Sequence, residues 1–305
     1  MLECSYWTLL TNPNAVWAYS SIVSFGNDQH LDPRQFDSET MKTNNMITAT
    51  ALIRKDKIIE VGGYSIAARY INEDWHLWLR FMQRGYNPVK MNFYGFWYRR
   101  KQHHSLLKEI NDTNSPENIH RVEALKIEAD KINTIIKAID YPADLETPAS
   151  FIEISNIISV NADDHNNILI FLPHLKTDPY SYNLVSEFAK KGFNITIITT
   201  EICPYIHRQK YEKIATVFDL TTFLNKSNWL YFIKYILSTR NISSIYNYNC
   251  KYVSNIKDSL TDIKYEEYYY EEDNSEYFIL KKKYQNSKKL SRRIIRKIIR
   301  IMKGR

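Results

Sequence analysis

At 305 residues, 44% hydrophobic and 25% charged, the chain has the composition of a folded protein long enough for two domains. Its net charge of +7 is local: twelve Lys and Arg lie in residues 281–305, which hold no acid, so the rest of the chain carries −5 and a specific nucleic-acid-binding fold is not indicated. Three scattered cysteines without metal-ligand spacing (Cys4, Cys203, Cys250), no apolar run of membrane length and no signal-peptide pattern lead to the expectation of a reducing, cytoplasmic setting.

In chain order, Leu2, Tyr6, Leu9 and Leu10 predict a helical stripe that ends at Thr11-Asn12-Pro13-Asn14, and Val16–Val23 is β-prone. The helix is read either as an ordinary N-terminal element or as one packed against a preceding piece. A polar loop from Phe25 to Asp37 leads through Asn44-Asn45 into Met46–Arg54, whose small apolar residues suit a buried strand or a short helix. Arg54-Lys55-Asp56 is read as a turn. Gly62-Gly63 permits positive φ and close backbone approach, as a plain tight turn or as a turn beside a ligand.

Trp75, Trp78 and Leu79 recur at i, i+3 and i+4 and predict a helix buried on that face, ending near Gly85 as a C-cap. Glu73 and Asp74 then lie in its first turn, where free backbone N–H groups favour negative charge. Val89–Arg99 follows as an aromatic edge strand, and Arg99-Arg100-Lys101-Gln102-His103-His104 as a cationic loop.

Residues 106–160 carry two helical patterns, Ile119–Ala138 and Ala149–Ser159, separated by Pro142 and Pro148, and read as a helical linker. A βαβ module begins at Asn167–Pro173, a strand by length and branching. A helix from Tyr182 to Lys191, Gly192 as its cap and a strand over Phe193–Thr200 follow. Val217–Leu220, Trp229–Thr239 and Ile242–Tyr248 continue it as strand, helix and strand. The acidic, tyrosine-rich run Tyr265–Asp273 reads as a linker. Leu290, Ile294, Ile295, Ile298, Ile299 and Met302 form the apolar face of a basic tail helix suited to an anionic membrane surface, against the plainer readings of a solvated tail or a nucleic-acid contact.

An ordered set of these residues resembles the C-terminal half of family 2 glycosyltransferases. The set is Asn45 with Ala51–Arg54, Val61-Gly62-Gly63-Tyr64, Asn72–Arg80, Gly85, and Phe96–Arg100 before His103, His104 and Ser105. It covers roughly the first third of the chain. The resemblance implies a GT-A fold and inverting transfer of a sugar from a nucleotide-sugar donor to a hydroxyl of a glycan, lipid or protein acceptor. It implies Asp74 as general base, with Glu73 as the alternative. Substrate binding would fall to Asn45, Gly62, Gly63, Trp75, Arg99 and Arg100, and one of His103 and His104 would contact a divalent metal, Mn²⁺ or Mg²⁺. The family's Asp-x-Asp metal motif is not found here: it belongs before the helix that starts at Met1, and Asp163-Asp164 stands in the wrong place to replace it. Activity is therefore open, and a non-catalytic remnant or partner-binding module is the competing expectation.

The βαβ module resembles the N-terminal half of a GT-B glycosyltransferase, except that His174–Tyr180 replaces a glycine-rich turn with no glycine, so no catalytic residue is expected there. The expected fold class is thus α/β: a truncated GT-A-like module over 1–110, a helical linker over 111–164, a Rossmann-like half-domain over 165–262, and a linker with a basic amphipathic tail over 263–305.

Overall fold

The computed structural model describes residues 1–65, 72–101, 116–139, 166–175, 179–202, 205–260, 263–272 and 278–283. His103, His104, Asp163, Asp164, the helical pattern at 149–159 and the basic tail lie outside them. The chain is α/β and divides into two units, Met1–Ser150 with Thr222–Tyr231, and Phe151–Thr221 with Phe232–Arg305. Among the described residues no helix is long and apolar enough to cross a membrane.

In the first unit, helix α1 (Leu2–Thr11) leads into β1 (Ala15–Gly26), a strand buried over its first ten residues. β2 (His30–Asp32) and β3 (Leu52–Ile53) pair antiparallel with β1 at Ile22–Ser24 and Trp17–Ala18, and β4 (Asn87–Arg100) pairs parallel along its length. Short helices α2 (Ser38–Met41) and α3 (Lys55–Glu60) punctuate the connection, and α4 (Glu73–Gln83) precedes β4. The larger core cluster holds Val16, Trp17 and Tyr19 of β1, and a smaller one holds Ala15 and Ala18. Trp17 stacks on Trp78 at 5.5 Å and lies 5.2 Å from Phe81, both from α4.

Several expectations change here for physical reasons. The buried residues of α1 are Cys4, Ser5, Trp7, Thr8, Leu9 and Thr11, so of the expected stripe Leu9 is buried while Leu2 is 72% exposed. The threonines tolerate burial because their hydroxyls donate to the Cys4 and Trp7 carbonyls one turn back. Met46–Arg54 is neither a full strand nor a helix. Its backbone groups find side-chain partners instead of a ladder, as Trp78 Nε1 donates to Ile47 O and Ile47 N to Asn45 Oδ1. Arg54 starts α3 rather than a plain turn, and its guanidinium donates to Leu9 O and Ala15 O, holding the end of α1 against the start of β1.

The segment expected as a linker contains α5 (Pro116–Asp130). Leu125, Ala129, Ile132 and Ile136 enter the first unit's core, and Ile139 bridges to Val89. The hydrophobic set continues past the end of the helix, so these residues are part of the unit rather than a spacer.

The second unit is a sheet ordered β10-β9-β8-β5-β6-β7. Its strands are β5 (Asn167–Leu172), β6 (Asn194–Thr199), β7 (Thr216–Asp219), β8 (Ser244–Tyr248), β9 (Lys264–Glu272) and β10 (Phe278–Lys283). β5 to β9 are parallel and β10 is antiparallel to β9. Strand order reverses between β5 and β8. The helices are α6 (Pro179–Lys190), α7 (Tyr205–Tyr211), α8 (Trp229–Thr239) and α9 (Lys251–Ile256). Ile168, Ile170, Ile195, Ile197 and Val217 fill one face, and Phe218 meets Phe232 of α8 on the other at 5.1 Å.

The acidic tyrosine run is a strand, not a linker. Tyrosine favours strands, Tyr268 stacks on Tyr248 at 4.8 Å, and Glu267 accepts from Ser254 Oγ at 2.5 Å.

Candidate functional site

Helix α4 opens at Asn72, which holds φ 60° and ψ 30°, a left-handed conformation that asparagine tolerates better than most residues. Its carbonyl accepts from His76 N–H at 3.0 Å, closing the first helical turn. Glu73 points into an exposed position, while Asp74 is half-buried.

Asp74 Oδ1 accepts two hydrogen bonds, from Trp75 N–H at 2.7 Å and from Asn45 Nδ2 at 3.2 Å. The Asn45 amide is oriented by its other end, where Oδ1 accepts from Ile47 N–H at 3.3 Å. A reversed amide would face oxygen to oxygen and N–H to N–H. Burial pushes the Asp74 carboxyl above its ordinary value, the bonds from Trp75 and Asn45 oppose that rise, and the Glu73 charge adds to it.

Two tryptophans of the same helix fix the loop that carries Asn45. Trp75 Nε1 donates to Met41 O at 2.7 Å and Trp78 Nε1 to Ile47 O at 3.2 Å, one on each side of Asn45. Trp75 is thus engaged through its indole N–H and packs on the core; it is a support for the loop as well as a residue of the candidate site.

The glycine turn is tied to α4 from the other side. Gly62 and Gly63 have φ of 83° and 72°, which a residue with a side chain rarely adopts. Arg80 donates to Val61 O at 2.6 Å and also to Gly63 O. The next residue, Tyr64, is half exposed, and burial together with the charges of Asp74 and Glu73 raises its phenol above the ordinary value. Tyr64 and Arg80 stand inside the quoted stretches, yet no residue pattern marked them. The signal was their adjacency to the glycine pair and their place on the helix.

Arg99 and Arg100 are not brought to the acid pair by any described contact. Arg100 Nε donates to Ser24 Oγ at 3.2 Å and its guanidinium lies 4.7 Å from the Tyr98 ring. The lengths explain this: α4 has 11 residues and spans about 16 Å, whereas the 14 residues of β4 span about 46 Å and carry their far end well past the start of the helix.

Among the described residues no group of three or more His, Cys, Asp or Glu could hold a metal ion. His103 and His104 lie outside those residues, and no chemical step below runs through a metal ion.

His76, two residues from Asp74, is buried with Nδ1 lacking a partner, and burial lowers its basicity, with the Arg80 and Lys131 charges acting in the same sense and Glu128 against them. It serves packing between α4 and α5.

In the second unit, the carboxyl ends of β5 and β8 flank the point where strand order reverses, the usual place for a ligand in an open α/β sheet. Here it is bridged from within. Thr200 and Glu201 donate to Pro173 O at 3.1 and 2.7 Å, and Thr200 Oγ1 meets Cys250 Sγ at 3.1 Å. The loop after β6 thus crosses the end of β5 to reach the loop after β8.

Comparison with family models, with curated proteins and with solved structures gives no match to this chain.

Proposed function

We propose that the chain is a glycosyltransferase-like protein whose first unit carries the acceptor side of an inverting sugar-transfer site. In this reading the unit is GT-A-like, the second unit is Rossmann-like and GT-B-like, and Asp74 takes the proton of the acceptor hydroxyl as its oxygen attacks the anomeric carbon. Glu73, in the exposed position beside it, is the alternative base. The observation that carries the reading is the Asn45–Asp74 hydrogen bond at 3.2 Å. It joins two residues from separate stretches of the resemblance on a carboxyl whose burial favours proton uptake. A base needs one oxygen fixed and the other available to the proton it removes; both described bonds end on Oδ1.

The test is a panel of uridine and guanosine diphosphate sugars with Mn²⁺ and glycan acceptors. Turnover is expected to fall by about two orders of magnitude or more in Asp74→Asn, with unfolding still cooperative. Wild-type turnover in that variant would remove Asp74 as the base.

A second reading is a partner-binding module that keeps the fold without catalysis. It is favoured by the internal use of the polar groups around the acid pair: the Trp75 indole is spent on Met41, and the Arg80 guanidinium on Val61 and Gly63. Absence of both turnover and binding across the panel would select it.

A further inference from the structure

The seam between α4 and α5 buries a titratable group that neither reading uses. His76, Arg80 and Gln83 fall at i, i+4 and i+7 of α4 and form one row along it. Gln83 shows which way the row faces: its Nε2 donates to the Glu128 backbone carbonyl at 2.8 Å and to Glu128 Oε2 at 2.6 Å. The row therefore looks onto α5, beside the core that Phe81 and Met82 share with Leu125 and Ala129. His76 is 5% exposed, and among the described residues its Nδ1 has no hydrogen-bond partner.

These surroundings suit a neutral ring. One turn on, the Arg80 guanidinium is pinned to Val61 O and Gly63 O. Lys131, just past the end of α5, brings a second positive charge. Glu128 supplies the opposing charge, but both its oxygens already accept: Oε2 from Gln83, and Oε1 from Lys131 at 2.8 Å. An imidazolium here would be a buried cation beside two others, with no carboxylate oxygen of its own. Burial and the Arg80 and Lys131 charges accordingly hold the ring below its ordinary proton affinity, with Glu128 acting against them.

We propose that the α4–α5 seam is an acid-released latch: one proton taken up by the His76 ring frees α5 from α4 while β1 keeps its pairing. A solvated histidine titrates at about 6.5, and the ring in the closed seam titrates lower. The closed form is therefore fully favoured above that pH and gives way as pH falls, by up to about tenfold in the opening equilibrium for each pH unit, until the folded value is passed. The same helix carries Asp74 and the two tryptophans that hold the Asn45 loop, so release of α5 removes a support from the acid pair. The latch does not depend on which reaction, if any, that pair performs.

The experiment follows amide hydrogen exchange by NMR in the full chain at pH 7, 6 and 5, with each rate corrected for the intrinsic effect of pH. Protection at Leu125 and Ala129 is expected to fall about tenfold between pH 7 and pH 5. At pH 5 it is expected to stand at least about tenfold below that of β1, the mark of an opening smaller than unfolding of the unit. His76→Leu fills the same space without a proton site and is expected to abolish the fall. Glu128→Gln removes the one charge that favours the imidazolium and is expected to deepen it, which supplies the decision if His76→Leu fails to fold. Level protection of α5 across this range overturns the proposal, as does equal protection of α5 and β1 at pH 5. So does a fall that persists in His76→Leu, or one that Glu128→Gln fails to deepen.

Discussion

Asp74 is held between opposing effects: burial favours its protonated form, while the N–H groups of Trp75 and Asn45 favour the carboxylate. Burial wins, so the folded value lies above the unfolded one. The sign follows by linkage. The stability that this group contributes is complete below the unfolded carboxylate value of about 4 and is lost as pH rises through the folded value. Asp74→Asn, neutral at every pH, is therefore expected to raise stability against denaturant at pH 7 and to change it little at pH 3. Reduced stability at pH 7 would mean that the two hydrogen bonds outweigh burial. A residue retained at a cost to stability is what a working carboxylate would look like. The acid pair was legible in the sequence because it opens a helix with helical apolar spacing. The partner of Asp74 was legible only through resemblance, since a loop asparagine 29 residues upstream follows no periodicity. Trp75 and Trp78 show the limit from the other direction: their spacing predicts a buried face, but not that their indole N–H groups reach out to hold a loop.

At the scale of elements, α4 ends in a Schellman arrangement. Tyr86 N–H donates to Phe81 O, Gly85 N–H donates to Met82 O, and Gly85 has φ 72°. A Cβ on Gly85 would meet nothing within 4 Å, so Gly85→Ala is expected to cost only the backbone strain, about 1–2 kcal/mol. Gly95 is the opposite case. Its backbone is ordinary, but a Cβ would fall 2.6 Å from the Phe93 ring and 2.7 Å from Ser20 Oγ. Gly95→Ala is expected to destabilise more than Gly85→Ala because the Phe93 ring and the Ser20 side chain must both give way; chemical denaturation of the two variants compares them, and the reverse order would sink this account. The helix end was legible because glycine after an apolar periodic run has one common use. The second unit's β5, β6 and β8 were legible as short branched runs between turn residues. β9 was not, because its charges resembled a solvated linker, and its pairing with β8 and β10 is a property of the sheet rather than of the segment.

On the scale of the whole chain, length left room for two domains, and the structure divides into two units. The first continues through Ile132, Ile136 and Ile139, residues whose apolar character was visible but whose destination was not. The central strand of that unit has a further consequence. β1 is almost wholly buried in the folded protein and lies early in the chain, yet its long parallel partner begins only at Asn87, and the α4 residues that cover Trp17 lie between. While the polypeptide is being synthesised, β1 must therefore wait with an open edge and an uncovered face, the state in which strands recruit other chains. Fragments that stop at residue 86 are expected to aggregate on expression, and those that extend through residue 139 to stay dispersed; a freely soluble 1–86 fragment would refute this. A growing chain would then need shelter from a chaperone until β4 has emerged, and the order of residues along the gene, more than the final packing, would set how much protein reaches its folded state.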